Sequence, residues 1–138
     1  TVSGKTITFL GWAFKKDTND SRESAAIYVA DSLIDEQAVI KVYDPKVSAN
    51  QMQFDLNYLK SRSEDENRNY LKIESDPYTA MEGAHAVAVL TEWDEFKSYD
   101  WNRIYNGMQK PAFVFDGRNL LDREALETIG FIYKAIGY

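Results

Sequence analysis

Between Gly11 and Ser24 the chain reads Gly-Trp-Ala-Phe-Lys-Lys-Asp-Thr-Asn-Asp-Ser-Arg-Glu-Ser, a stretch that carries Lys15, Lys16 and Arg22 within eight positions. Cations beside the start of a helix hold anions, phosphate above all. Lysine acts as a compact point charge, arginine as a planar fork that takes two oxygens at once, and the backbone N–H groups of a helix N-terminus add positive potential. A second arginine of this kind, Arg118, stands in Phe115-Asp116-Gly117-Arg118. Lys15 and Arg118 gripping one diphosphate from two sides is one reading; a solvated rim of loop lysines is the other. Phe14 and Trp12 are candidates to stack on a base, with Trp12 favoured as a core anchor.

Other chemistries are limited by what the chain lacks. It has no cysteine, hence no disulfide, thiolate metal site or cysteine nucleophile, and its single histidine, His85, gives no ligand cluster for a metal. His85 opens an apolar run and reads as structural. The dinucleotide fingerprint Gly-x-Gly-x-x-Gly is absent, because no glycine follows Gly11 until Gly83. The domain is therefore not expected to bind a nicotinamide dinucleotide by the glycine-turn mechanism. Asp44 stands where such folds keep a ribose-binding acid, but followed by Pro45 it reads as a turn former. A net charge of −6 argues against nucleic-acid binding. No apolar run approaches the roughly 18 residues of a membrane span. A phospho-acceptor module would need an acidic cluster after its first strand, where this chain has Lys15-Lys16.

These residues need elements to hold them. Of 138 residues, 44% are hydrophobic and 28% charged, which suits one α/β-sized domain. Ile7-Thr8-Phe9-Leu10 reads as a buried strand. Asp20 with Glu23 forms an Asp-x-x-Glu capping box for a helix running to about Gln37, its apolar face made by Ala26, Val29, Ala30, Leu33 and Ile34. That start places Arg22 in the first helical turn, against the helix dipole, as either a functional cation or the partner of Asp20 or Glu23. Val39 to Tyr43 is a second strand, closed by Asp44-Pro45. Gln51 to Leu59 reads as a short helix, Ser61 to Asn69 as an exposed loop, and Leu71 to Glu74 as a weak strand. Pro77 starts a helix ending near Gly83. His85 to Leu90 is continuously apolar after its histidine, as a central parallel strand requires. Asp94 to Lys97 and Asp100 to Met108 are helical, Ala112 to Phe115 is a strand, Asp122 to Ile129 is a helix capped by Gly130, and Phe131 to Ile136 is a last strand.

Strands alternating with helices predict a Rossmann-like, doubly wound, mainly parallel six-stranded sheet in a single domain, with strand order 3-2-1-4-5-6. In such sheets ligands bind at the carboxyl ends of the strands near the reversal of strand order. The strand ends here deliver Phe14-Lys15-Lys16 with Arg22, Asp44-Pro45-Lys46, Thr91-Glu92-Trp93-Asp94, and Asp116-Gly117-Arg118-Asn119 to one rim.

Those same residues carry a resemblance. Gly11 to Ser24 is similar to the Gly-Phe-Ala-Phe-Lys-x-Asp-Thr-x-Asp-x-Arg-Glu-Ser stretch of the UDP-glucose 6-dehydrogenase family, animal members in particular. Tyr43-Asp44-Pro45, Thr91-Glu92-Trp93 and Phe115-Asp116-Gly117-Arg118 match the family as well, in order, from about Val2 to Gly137. The resemblance implies oxidation of UDP-glucose to UDP-glucuronate in two steps with two NAD⁺. It also implies a longer enzyme: an N-terminal NAD-binding domain, a middle helical domain and a C-terminal UDP-sugar-binding domain, to which this chain corresponds. The sequence opens Thr1-Val2-Ser3 without an initiating Met and is read as a piece of that longer protein. By motif match Phe14, Lys15 and Arg118 contact the UDP-sugar, and Arg22 contacts NAD across the cleft. The family's cysteine nucleophile and its assisting lysine and aspartate groups lie in the preceding domains, so no catalytic residue is expected here and the chain alone is expected to be inactive. A homo-oligomer, a hexamer in the full enzyme, follows from the same resemblance, and a cytoplasmic location is expected from the absence of cysteine. The chain departs from it at Trp12, usually Phe, and at Asn119, often Arg.

Overall fold

A computed structural model describes residues 1–135 of the chain. Six strands form one sheet: β1 Thr6–Leu10, β2 Val39–Tyr43, β3 Leu71–Ile73, β4 Ala86–Val89, β5 Phe113–Asp116 and β6 Ile132–Ala135. All neighbours pair parallel in the order β3-β2-β1-β4-β5-β6. The reversal falls between β1 and β4, in the register Ile7↔Ala86 through Leu10↔Val89. Both strands are buried along almost their whole length, which accounts for their unbroken apolar character, whereas the edge strands β3 and β6 alternate in burial. Position 136, assigned above to the last strand, lies outside the described residues.

Right-handed crossovers put α1 Ala25–Asp35, α2 Ala49–Tyr58 and α3 Glu64–Tyr70 on one face of the sheet. The same rule puts α4 Pro77–Met81, α5 Trp101–Gly107 and α6 Arg123–Ile129 on the other. A 3-10 turn, Asp94–Ser98, precedes α5. The core runs through both layers, with Phe9, Leu10, Trp12, Ile40, Val87, Val89 and Phe96 fully buried. No helix among the described residues is long and apolar enough to cross a membrane.

The structure corrects three local expectations. First, Asp20 and Glu23 do not cap α1. Glu23 has φ of 59°, left-handed backbone that cannot continue into a helix, and Ser24 is the N-cap, its hydroxyl accepting from Ala26 N at 3.2 Å. Arg22 therefore lies before the helix rather than inside its first turn. Second, α1 faces the core with Ala26, Ile27, Ala30 and Ile34, while Val29 is exposed, and the helix ends at Asp35 because Gln37 turns to φ of 68°.

Third, the polar stretch from Ser61 to Asn69 contains a helix. Ser63 is its N-cap, Oγ accepting from Glu66 N at 3.1 Å and donating to Glu66 Oε1 at 3.3 Å. Acids at Glu64, Asp65 and Glu66 and a base at Arg68 suit the helix dipole. α3 docks chiefly through polar contacts, with Tyr70 alone packing on the core: Asn67, fully buried, donates to Asn57 Oδ1 at 2.8 Å and accepts from Arg62 Nε at 3.1 Å, and Arg62 pairs with Asp31. A search for apolar periodicity has no stripe to find there.

Candidate functional site

The loop that leaves β1 is fixed by groups from three neighbouring strand ends. Gly11 N donates to Tyr43 O at 2.8 Å and Leu90 N to Leu10 O at 3.0 Å, so the ladders continue one step past the strands on either side. Gly11 has φ of 103°, and a Cβ placed on it would lie 2.4 Å from Thr91 Cβ. Only glycine permits both that backbone and that approach. Thr91, fully buried, donates from Oγ1 to Ala13 O at 2.8 Å.

Asp44 is the anchor on the β2 side. Its Oδ2 accepts from Trp12 N at 2.7 Å, Ala13 N at 2.9 Å and Trp93 Nε1 at 3.2 Å. Its Oδ1 accepts from Lys46 N at 2.8 Å and Val47 N at 3.0 Å. The residue forms the expected turn and also holds two loops to it. Trp12 is fully buried, as a core anchor, with its indole N–H donated to Asp55 Oδ2 at 3.0 Å on α2.

Arg118 closes the site from the other side of the reversal. Gly117 N donates to Val89 O at 2.9 Å, and Asp116, fully buried, accepts from Arg118 N at 3.1 Å, Leu120 N at 2.9 Å, Leu121 N at 2.8 Å and Tyr133 Oη at 2.7 Å. The loop so fixed aims Arg118 back across β4, where its Nε donates to Leu90 O at 3.0 Å and its Nη2 to Phe14 O at 2.9 Å. Glu92 Oε1 lies 3.9 Å from Arg118 Nε, buried and without a hydrogen bond. Its attraction to the guanidinium is coulombic.

Phe14, Lys15 and Arg118, which come from opposite sides of the reversal, thus share one rim. Phe14 is 47% exposed and Lys15 is exposed; Lys16 lies 3.6 Å from Asp94. Two of the Arg118 donor atoms serve backbone carbonyls, so its role is partly to fix the loop. Arg22 stands apart, its side chain 88% exposed, gripping Asp20 through Nε to Oδ1 at 3.0 Å and Nη2 to Oδ2 at 2.8 Å. The bonded guanidinium pulls the Asp20 carboxyl down to about 2. Of the two readings of Arg22, the ion pair with Asp20 is present. His85 is structural, Nδ1 accepting from Thr6 N at 3.2 Å.

Sequence reasoning missed Thr91 and Asp55 as supports of the loop. Thr91 had a usable signal, a small polar residue directly after a buried strand; Asp55 had none, since nothing in the order of residues couples position 55 to positions 12 and 21.

Residues 8–123 match the profile of the UDP-glucose/GDP-mannose dehydrogenase family, UDP binding domain. The chain is 49% identical to UDP-glucose 6-dehydrogenase of Bos taurus over 139 residues, and 51% identical to that of Caenorhabditis elegans over 137 residues. Each alignment covers 99% of this chain, which spans about 28% of the length of these relatives. The solved UDP-D-ManNAc dehydrogenase from Pyrococcus horikoshii superimposes with a TM-score of 0.73 at 26% identity, over 99% of this chain and 26% of that one. With strand order, reversal and rim motifs in agreement with these matches, the chain belongs to the UDP-glucose/GDP-mannose dehydrogenase family, as a UDP binding domain.

Proposed function

We propose that this chain is the C-terminal, substrate-holding part of a longer NAD-dependent enzyme that oxidises UDP-glucose to UDP-glucuronate in two steps. What supports the reading is the bond from Arg118 to the Phe14 carbonyl, which brings the guanidinium to the backbone of the loop that carries the exposed Phe14 and Lys15 at the strand reversal. A UDP-sugar has complementary parts: a diphosphate for Lys15 and Arg118, and a flat or hydroxylated surface for Phe14. Arg118 keeps Nη1 free of hydrogen bonds among the described residues, so it contacts a phosphate oxygen without releasing the loop.

Arg22 is the proposed NAD contact. It is exposed and cationic, as a residue reaching toward an anionic cofactor on another domain must be. NAD, when bound, accepts the hydride; this chain's part is to hold the substrate still and offer Arg22 at the cleft. The Gly-x-Gly-x-x-Gly turn and the cysteine nucleophile belong, in this reading, to the preceding domains, and the isolated chain is inactive. The full enzyme is further proposed to be a cytoplasmic homo-oligomer, a hexamer by family resemblance.

Calorimetric titration of the chain with UDP tests the substrate reading. Affinity falls with added salt, and Lys15→Ala weakens it about tenfold, or ~1.4 kcal/mol. Parent-like affinity in both Lys15→Ala and Arg118→Ala would remove these residues from the site.

A further inference from the structure

We infer that Asp55, on α2, is a positioning residue that sets the spacing between the two ligand-facing parts of the β1 loop. Its Oδ2 accepts two hydrogen bonds from positions nine residues apart in that loop: the Trp12 indole N–H at 3.0 Å and the Ser21 hydroxyl at 2.6 Å. Its Oδ1 accepts from Gln51 Nε2, one helical turn earlier, at 2.8 Å, which fixes the carboxylate plane. Trp12 and Ser21 are both buried, with 0% and 3% exposure, so neither donor has water as an alternative partner.

The other side chains that hold the first part of the loop act elsewhere. Asp44, Thr91 and Arg118 bind the backbone of residues 12 to 14 only. Two backbone bonds assist Asp55: Phe14 N donates to Asp20 O at 2.7 Å, joining the two parts of the loop, and Ser24 N donates to Ser21 O at 3.1 Å at the start of α1, while Asp20 N donates to Thr18 Oγ1 at 3.1 Å within the second part. Apart from the exposed Lys16–Asp94 pair at 3.6 Å, Asp55 is the side chain that joins residues 15 to 22 to the body of the domain, among the described residues. Ser21 immediately precedes Arg22. A carboxylate bonded at once to Trp12 and Ser21 therefore anchors the backbone of Arg22 to α2 and, with the Phe14 N–Asp20 O bond, sets its distance from Phe14 and Lys15. In the reading proposed above, on which this consequence rests, that distance is the one between the substrate contacts and the cofactor contact.

Amide hydrogen exchange of the ligand-free chain, followed by mass spectrometry, tests the assignment. Asp55→Leu removes every acceptor at similar size, and exchange over residues 15 to 22 rises about tenfold while β4 and β5 peptides keep the parent rate. Asp55→Asn keeps a doubly accepting oxygen, with its amide turned toward a flipped Gln51, and stays near the parent. Ser21→Ala deletes one bond of the set without disturbing Trp12 and gives an intermediate increase, which covers the case of an unfolded Leu variant. Parent-rate exchange of the loop in both Asp55→Leu and Ser21→Ala overturns the proposal. So does an increase spread evenly over the sheet, or an Asn variant as fast as Leu. No nucleotide enters the measurement, so its failure is separate from a failure of the UDP titration.

Discussion

Arg118 donates from Nη2 to the carbonyl of Phe14 at 2.9 Å, joining residues 104 positions apart across β4. The same guanidinium reaches Leu90 O, so one side chain staples the loops after β1, β4 and β5. Arg118→Ala is expected to weaken UDP binding more than Lys15→Ala does, since it removes the proposed phosphate donor and loosens Phe14 together. It also costs about 1–3 kcal/mol of stability through two carbonyls left without donors. Arg118→Lys does not restore either property, because one ammonium lacks the planar fork that spans both carbonyls. Calorimetry alongside urea unfolding separates the two effects.

Asp44 collects five N–H groups on one buried carboxylate. Asp44→Ala leaves several of them without acceptors and is expected to destabilise the domain by about 3–4 kcal/mol. Asp44→Asn is expected to be intermediate, since its amide nitrogen faces donors where an oxygen accepted them. Chemical denaturation of the three proteins gives the order.

Gly11→Ala combines left-handed backbone with a collision against Thr91. A loss of about 2–5 kcal/mol is expected. Thr91→Ala does not rescue it, because the colliding atom is the Thr91 Cβ itself, which alanine retains. Thermal unfolding of the double variant checks this.

Asp20 gives a pH signature. Its carboxyl is held down at about 2 by Arg22, below the ordinary 3.8. A depressed carboxyl contributes its interaction above the unfolded value and loses it as pH falls through the folded one, so the Asp20–Arg22 pair persists above about pH 4 and breaks toward pH 2. Carboxyl-carbon NMR is expected to show Asp20 titrating near 2 in the parent and higher in Arg22→Ala, short of its ordinary value because the backbone N–H of residue 22 still donates to Oδ1 at 3.0 Å. If Arg22 turns to a cofactor in the assembled enzyme, Asp20 rises the same way on binding.

How much of this was legible depended on where the determinant lay. The β strands, the reversal and the four rim motifs are written as apolar runs and short local signatures, and the structure places β2 at the residues expected. The start of α1 was misread because Asp20 and Ser24 are both good caps, and the choice fell to the left-handed backbone at Glu23, which no residue type announces. α3 escaped because its docking is done by Arg62 and Asn67 rather than by an apolar stripe. Of the residues expected on a common rim, Arg118 is bonded to the backbone of Phe14. That Arg118 spends two donor atoms on the loop itself is a property of distances that spacing does not encode.

The position of Asp44 limits how this scaffold can be redesigned. In a nicotinamide-binding relative of the fold, the acid ending the second strand is free to take a ribose hydroxyl. Here both its oxygens are occupied by the chain's own N–H groups. Grafting glycines onto the β1 turn would therefore not create a dinucleotide site, because the sugar would have to compete with the bonds that keep the turn in shape.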